Sequence, residues 1–294
     1  MSKILVTGGA GFIGSHLVER LVKLGHKVVV LDDLSTGKIL NLPRSKDVRL
    51  FRQSILDDTK KAYERVDVVF HLAALTRPRE SFTNPMETNN TNVSGTLNVI
   101  LNAKKTKVKR IVFTSSAAVY GNVIPKKESE TPRPVSPYGL TKLTGEAYCR
   151  YFGGQIGINI VRPFNVYGKR QDPSGMYGAA IPKFIEALKT GTEPYITGDG
   201  EQYRDFVYID DVIDLLILLA ETDVVGQTFN GGSGRATTVY DLYHMICKIM
   251  KKNVRAKYVD EIEEPSTKAD IWKASDMLGW KPKYTLEEGL RKII

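Results

Sequence analysis

The stretch VTGGAGFIGSHLVERL, residues 6–21, limits what this chain can fold into more than any other. Glycines at 8, 9, 11 and 14 stand directly after a short apolar run and directly before an amphipathic helical pattern, so both G-x-G-x-x-G (Gly9, Gly11, Gly14) and G-x-x-G-x-x-G (Gly8, Gly11, Gly14) are satisfied. A strand that turns on glycines into a helix opens a β-α-β unit. With no side chains in the way, a pyrophosphate can approach the backbone and meet the positive end of the helix. Gly8, Gly11, Phe12, Ile13 and Gly14 are the candidate phosphate cradle. The next apolar run, HKVVVL, leads into Asp32, at the spacing of the acid that hydrogen-bonds a ribose hydroxyl, and neither Arg nor Lys immediately follows it to hold a 2′-phosphate. The pattern favours NAD over NADP.

Beyond the turn, apolar β-branched runs (KILVTG, HKVVVLD, VDVVFHLA, KRIVFTSS, INIVRP) alternate with helix-length segments through the first two-thirds of the chain. That alternation is the signature of a parallel sheet with helices on both faces. VVVL and VVFHLA are nearly continuous in apolar residues, as strands buried on both sides must be. After RPFNVYG the regularity fades. Residues 169–204 are rich in Gly, Pro and Asp, RDFVYI predicts a strand, DDVIDLLILLAET a helix, GQTFNGG a return to the sheet edge, and a helix runs from about Val239 to Lys251. The expected fold is α/β: a Rossmann-type doubly wound parallel sheet, residues 1–168 with 205–231, and a smaller mixed α/β substrate lobe, residues 169–204 with 232–294.

Charge and cysteine content exclude more than they assign. The net charge of +9 comes from scattered pairs such as Lys60 and Lys61 or Lys126 and Lys127, without a basic run or basic-aromatic stripe, which argues against nucleic acid. Cys149 and Cys247 lack metal-ligand spacing, and no metal is expected. No membrane-length apolar stretch is present, and MSKILVTGG enters a strand pattern at once, so a cytoplasmic protein is expected.

A second motif carries the chemistry. In VSPYGLTKLTGEAYC, residues 135–149, Tyr138 and Lys142 are four apart, a spacing that puts two side chains on one helix face. Ser136 is a candidate N-cap and Pro137 a candidate first helical residue, which sets Tyr138 in the positive first turn. The run RIVFTSS ends in Thr114, Ser115 and Ser116 about twenty residues earlier, at the strand end where an open α/β sheet binds ligands. A free phenol, with a pKa of about 10, is a poor base near neutrality. A nearby ammonium, helped by the positive charge of an oxidised nicotinamide, is expected to favour phenolate, so that tyrosine takes a hydroxyl proton while hydride leaves the same carbon.

The glycine turn, HLAA, SSAAVYG, YGLTK, RPFNVYG and GDGEQYRDFVYIDDV occur in an order that resembles the extended short-chain dehydrogenase/reductases. From Lys3 to about Leu290 the chain is similar to their nucleotide-sugar 4-epimerase branch, the UDP-glucose 4-epimerase-like enzymes. The resemblance implies Tyr138 as catalytic base, Lys142 as nicotinamide-ribose ligand and pKa modifier, and Ser116 as partner of the sugar's 4-oxygen. It implies that NAD is held by Asp32, Leu34, Ser35, Thr36 and Gly37, by Ser54 and Ile55, by Leu72, Ala73 and Ala74, and by Thr114, Tyr138 and Lys142. A UDP-sugar would meet Ser116, Tyr138, Asn165, Tyr195, Arg204 and Thr267, and the expected assembly is a homodimer through helices near 90–105 and 138–152.

Departures from that pattern qualify the substrate. Dehydratases of the superfamily carry an Asp-Glu pair after the active-site hydroxyl, and UDP-glucuronate decarboxylases a glutamate; this chain has Ala117 and Ala118, which favours oxidation followed by re-reduction. Ser54 stands where an acid often touches adenine, and Glu264 where a diphosphate-binding arginine is common, with Lys268 or Arg235 as replacements. Thr267 occupies the place of a tyrosine that narrows the sugar pocket in some relatives, so N-acetylhexosamines are expected as well. The rival readings are a nucleotide-sugar reductase or dehydrogenase with exchangeable cofactor, and a non-catalytic dinucleotide-binding regulator. His71, His16 and Trp280 are expected to pack rather than bind metal.

Overall fold

Each apolar run becomes a strand of one sheet. In the computed structural model, which describes residues 2–172, 180–260 and 266–294, these are β1 (Lys3–Thr7), β2 (Lys27–Leu31), β3 (Val48–Phe51), β4 (Val68–His71), β5 (Arg110–Thr114) and β6 (Gly157–Pro163). All of their pairings are parallel. With Thr228–Gly231 at one edge, the order is Thr228–Gly231, β6, β5, β4, β1, β2, β3. The chain therefore leaves β1 toward β2 and β3 on one side and returns to β4, β5 and β6 on the other. This is the switch point at whose carboxyl edge doubly wound sheets bind ligands, and the glycine turn stands there.

The strands owe their stability to burial on both faces. Leu5, Val29, Leu31, Val69, Ile111, Phe113 and Ile158 pack with Val99, Ile100, Tyr63 and Cys149 in one core cluster. Crossover helices cover the sheet, among them α1 (Phe12–Lys23), Gly95–Lys105 and Pro137–Phe152. Among the described residues no helix is long and apolar enough to cross a membrane.

The chain divides into two compact units, Met1–Gly121 with Thr131–Pro163 and Ile213–Phe229, and Asn122–Glu130 with Phe164–Val212 and Asn230–Ile294. The division differs from the expected ranges for a physical reason. Asn165–Tyr167 pairs with Phe206–Tyr208, which takes 164–168 and 205–212 into the second unit. A parallel bridge from Lys126 to Ala269 takes 122–130 with them. The second unit's sheets are two-stranded, each with strands of two or three residues. Its helices include Ala180–Thr190 and Val239–Met250, and Trp280 is buried there with its indole N–H on the Asp211 carbonyl at 3.2 Å.

Candidate active site

The glycine turn has the form its sequence demands. Gly8 has φ +67°, and a Cβ there would lie 2.7 Å from the Ala73 nitrogen; one on Gly14 would lie 2.1 Å from the Gly8 carbonyl oxygen. Gly11 caps α1 in extended conformation without a side-chain cap, so the first-turn amides of Phe12, Ile13 and Gly14 have no intrahelical acceptor. Asp32 reaches back to this turn: one carboxylate oxygen accepts from Ala10 N–H and the other from Leu34 N–H, each at 2.9 Å. Burial raises the pKa of Asp32, and those two amides oppose the shift. Leu34 sits in the left-handed region at φ 64°, Ser35 donates to Asp33, and Gly37 is so close that a Cβ would lie 2.7 Å from the Asp32 carboxylate. Thr36 belongs to the same loop between Asp32 and Lys38, whose N–H returns to the Ala10 carbonyl at 3.0 Å.

The neighbouring strand ends are tied to the same place. Leu72 and Ala73 N–H both donate to the Thr7 hydroxyl at 3.2 Å, and Ala74 follows directly. His71 is fully enclosed, with Nδ1 on Thr7 at 2.7 Å and Nε2 on Thr96 at 2.9 Å. Burial, with the Lys142 charge, pushes its pKa down to about 3, so the imidazole is neutral and structural. His16 lies edge-on to Phe12. Ser54 accepts from Leu56 N–H at 3.2 Å, while Ile55 is buried in the core.

Ser136 caps the helix Pro137–Phe152, its hydroxyl accepting from Gly139 N–H at 3.1 Å, with Pro137 in the first turn. Tyr138 is buried, and burial raises the pKa of its phenol while the Ser116 side chain opposes that shift. Ser116 in turn caps the short turn Ala117–Tyr120 through Ala118 N–H at 3.1 Å. Lys142 is also buried, and its ammonium donates to the Thr114 carbonyl at 2.8 Å.

The Lys142 ammonium is engaged by Thr114, and burial pushes its own pKa down to about 8. Burial likewise raises the Tyr138 phenol above its ordinary value, and the Ser116 side chain opposes the shift. Four-residue spacing puts two Cβ atoms on one face, but the desolvated ammonium takes the nearest carbonyl.

Two residues missed in the sequence hold the catalytic helix. Ser81 accepts from the Tyr138 N–H at 3.0 Å, a first-turn donor with no intrahelical acceptor. Asn92 sits in a π-helical turn, Asn90–Ser94, a form that recurs at functional sites. Its amide bonds Leu75 N–H at 2.8 Å, the Leu75 carbonyl at 2.9 Å and the Thr141 hydroxyl at 3.1 Å.

The second unit gathers part of the expected sugar-nucleotide set. Asn165 donates to the Asp205 carbonyl and to the Thr267 hydroxyl, each at 3.0 Å, and that hydroxyl also accepts from Asp205 N–H at 3.2 Å. Arg204 is nearly buried, with a guanidinium N–H on the Tyr203 carbonyl at 3.1 Å. Beside it is a residue that no sequence motif singles out: Lys126 is 1% exposed, and burial, with the Arg204 charge, brings its pKa down to about 8. Tyr195 is exposed and accepts from the Lys183 ammonium at 3.1 Å. Glu264 lies outside the described residues.

These residues fit NAD. The Gly8–Gly14 turn is a cradle that a Cβ would fill, and the buried Thr114 hydroxyl has no hydrogen-bond partner within the described protein. Over residues 4–232 the chain matches the NAD dependent epimerase/dehydratase family. It is similar to the UDP-N-acetylglucosamine 4-epimerase of Methanobrevibacter ruminantium M1, solved in complex with UDP-N-acetylmuramic acid, with 37% identity, a TM-score of 0.95, and coverage of 99% of this chain and 96% of that one. The UDP-glucose 4-epimerase of Thermotoga maritima, solved with UDP-glucose, is 38% identical with a TM-score of 0.93, covering 99% and 96%. A UDP-N-acetyl-alpha-D-glucosaminuronate decarboxylase of Bacillus cytotoxicus is 33% identical over 99% of this chain and 96% of its own length.

Proposed function

We propose a reaction from a fixed premise: the chain belongs to the NAD dependent epimerase/dehydratase family, and its cofactor is NAD. The reaction is inversion of C4 in a UDP-linked hexose. The observation that carries this reading is the buried Tyr138 phenol with the Ser116 side chain opposing the rise in its pKa, followed by two alanines where an eliminating or decarboxylating relative is expected to place an acid. Tyr138 takes the proton of the 4-hydroxyl and returns it when the carbon is reduced again, and Ser116 donates its hydroxyl proton to the 4-oxygen. NAD, which the Gly8–Gly14 turn, Asp32 and Lys142 would hold, would supply the hydride acceptor and donor for the two half-reactions. Burial helps the site exclude water during the keto stage.

UDP-glucose with UDP-galactose, and the N-acetylhexosamine pair, are the proposed substrates, because Thr267 is small and already held by Asn165 and Asp205. A homodimer is the proposed assembly: Leu101, Leu140 and Tyr151 are exposed on the two helices expected to form it, and sedimentation velocity tests this. The reaction is tested by NMR of mixtures containing each UDP-sugar. The expected result is interconversion at C4 without net NADH; stoichiometric NADH would transfer the reading to a dehydrogenase.

A further inference from the structure

One buried group stands behind the proposed chemistry without taking part in it. Glu146 lies one turn beyond Lys142 on the helix Pro137–Phe152 and is 0% exposed. One of its oxygens accepts from the Ser115 hydroxyl at 2.6 Å and from Arg162 Nε at 2.8 Å; the other accepts from Arg162 Nη2 at 2.7 Å and Arg150 Nη1 at 3.1 Å. Arg162, on β6, lies over the Tyr120 ring at 4.6 Å. Ser115 is on the strand end between Thr114, whose carbonyl anchors Lys142, and Ser116, whose side chain acts on the Tyr138 phenol.

We propose that Glu146 is a positioning residue of this site: through Ser115 it pins the strand end that carries Ser116 and the Thr114 carbonyl on which the Lys142 ammonium is held. A purely structural pair would need the Arg162 fork but not the Ser115 bond or the turn-apart placement below Lys142. Burial pulls the Glu146 pKa upward, but Arg162, Ser115 and Arg150 bring it below the ordinary range, so the group is ionised. Other groups about Lys142 do not replace its charge. His71 on β4 is neutral, Phe113 on β5 presents a ring at 5.1 Å, Thr114 offers a carbonyl, the Cys149 thiol on the same helix is pushed up by burial and stays protonated, and burial raises the Tyr138 phenol as well. Arg150 and Arg162 are positive and are paired with Glu146.

The kinetic arm of the test rests on the epimerase reading; the second arm does not. Glu146→Gln and the double variant E146Q/R162M, which leaves no unpaired buried guanidinium, are compared with the parent as NAD-loaded protein. The pH dependence of kcat and the titration of Lys142 in 15N-lysine-labelled protein are both followed, the Lys142 signal being identified by its loss in Lys142→Met. In both variants the alkaline limb of kcat and the Lys142 titration are expected about one pH unit lower than in the parent. Folded variants with reduced rate but an unmoved limb and titration would overturn the proposal, as would failure of both to fold, since Glu146 would then act in stability alone. A parent that does not interconvert UDP-sugars would sink the epimerase reading, while the Lys142 titration would still decide the role of Glu146.

Discussion

The two units hold their candidate residues in different ways. In the first, functional groups stand at the ends of parallel strands and are mostly fixed by main chain: Lys142 on the Thr114 carbonyl, Asp32 on two amides, Tyr138 through its own N–H on Ser81. In the second, the Asn165 and Thr267 side chains bond each other as well as the Asp205 main chain, on strands of two or three residues and the loops beside them. Main-chain anchoring fixes a reacting geometry regardless of the substrate. Side-chain anchoring can be retuned by one substitution, so changes in the first unit are expected to alter the rate for every sugar and changes in the second to alter which sugar is preferred.

Tyr138→Phe should show the largest effect. It removes the hydroxyl and keeps the buried ring, so fold and NAD content are retained while kcat falls by about 10²–10⁴-fold, the usual contribution of a positioned base. Steady-state rates for both UDP-sugar pairs should fall together. Near-normal turnover would show that the base is another group, and a loss confined to one pair would break the contrast between the units.

Lys142→Met separates rate from stability. Its pKa of about 8 in the folded protein lies below the ordinary lysine value of 10.5, so between those pH values the unfolded chain binds the extra proton. Stability from this group therefore rises as pH rises through that window, by about 3 kcal/mol, and the cost is fully present below pH 8. The variant should lose activity yet lack this rise. Urea unfolding of parent and variant across the window measures it; parallel stability curves would contradict a buried ammonium.

Thr267 sharpens the contrast from the other side. Its hydroxyl accepts from Asn165 and from Asp205 N–H, so Thr267→Tyr removes both acceptor contacts as well as filling space. Thr267→Val removes the acceptor at nearly constant volume and is the necessary control. Valine should lower kcat/KM for both sugar pairs alike, and tyrosine should lower the acetylated pair by a further 10–200-fold or so, the range of a steric pocket change. If valine already discriminates, hydrogen bonding and not size selects the sugar.

The same contrast governs what could be read from the sequence. The glycine turn, Asp32, the Ser136–Pro137 start and the apolar strands are local patterns, and local geometry dictates them. Asn92, Ser81 and Glu146 were not legible, because their meaning lies in partners 17, 57 and 31 residues away. Lys126 resembled one half of an exposed lysine pair until its bridge to Ala269 turned it inward. The unit boundaries escaped for a related reason: a strand of two or three residues is too short to show a period of two.

The smallest expected effect lies at the adenosine end, where Ser54 stands in the place of an acid. Its hydroxyl accepts from Leu56 N–H at 3.2 Å, and its own N–H donates to the Asp57 carboxylate at 2.9 Å. An aspartate there could take the Leu56 amide with one oxygen and offer the other to the adenine amino group. A hydrogen bond to a charged acceptor contributes about 1.5–3 kcal/mol, but Asp57 adds a like charge that reduces the gain. Ser54→Asp should therefore slow NAD release by about 2–10-fold, a net of roughly 1 kcal/mol, as measured by exchange against labelled NAD. Neither kcat nor the ratio between sugar pairs should move, because the change strengthens retention of a cofactor that turnover does not release. Faster exchange would mean that adenine does not lie beside this strand end; an altered sugar ratio would mean that the first unit also takes part in selection, and the division of labour argued above would fail.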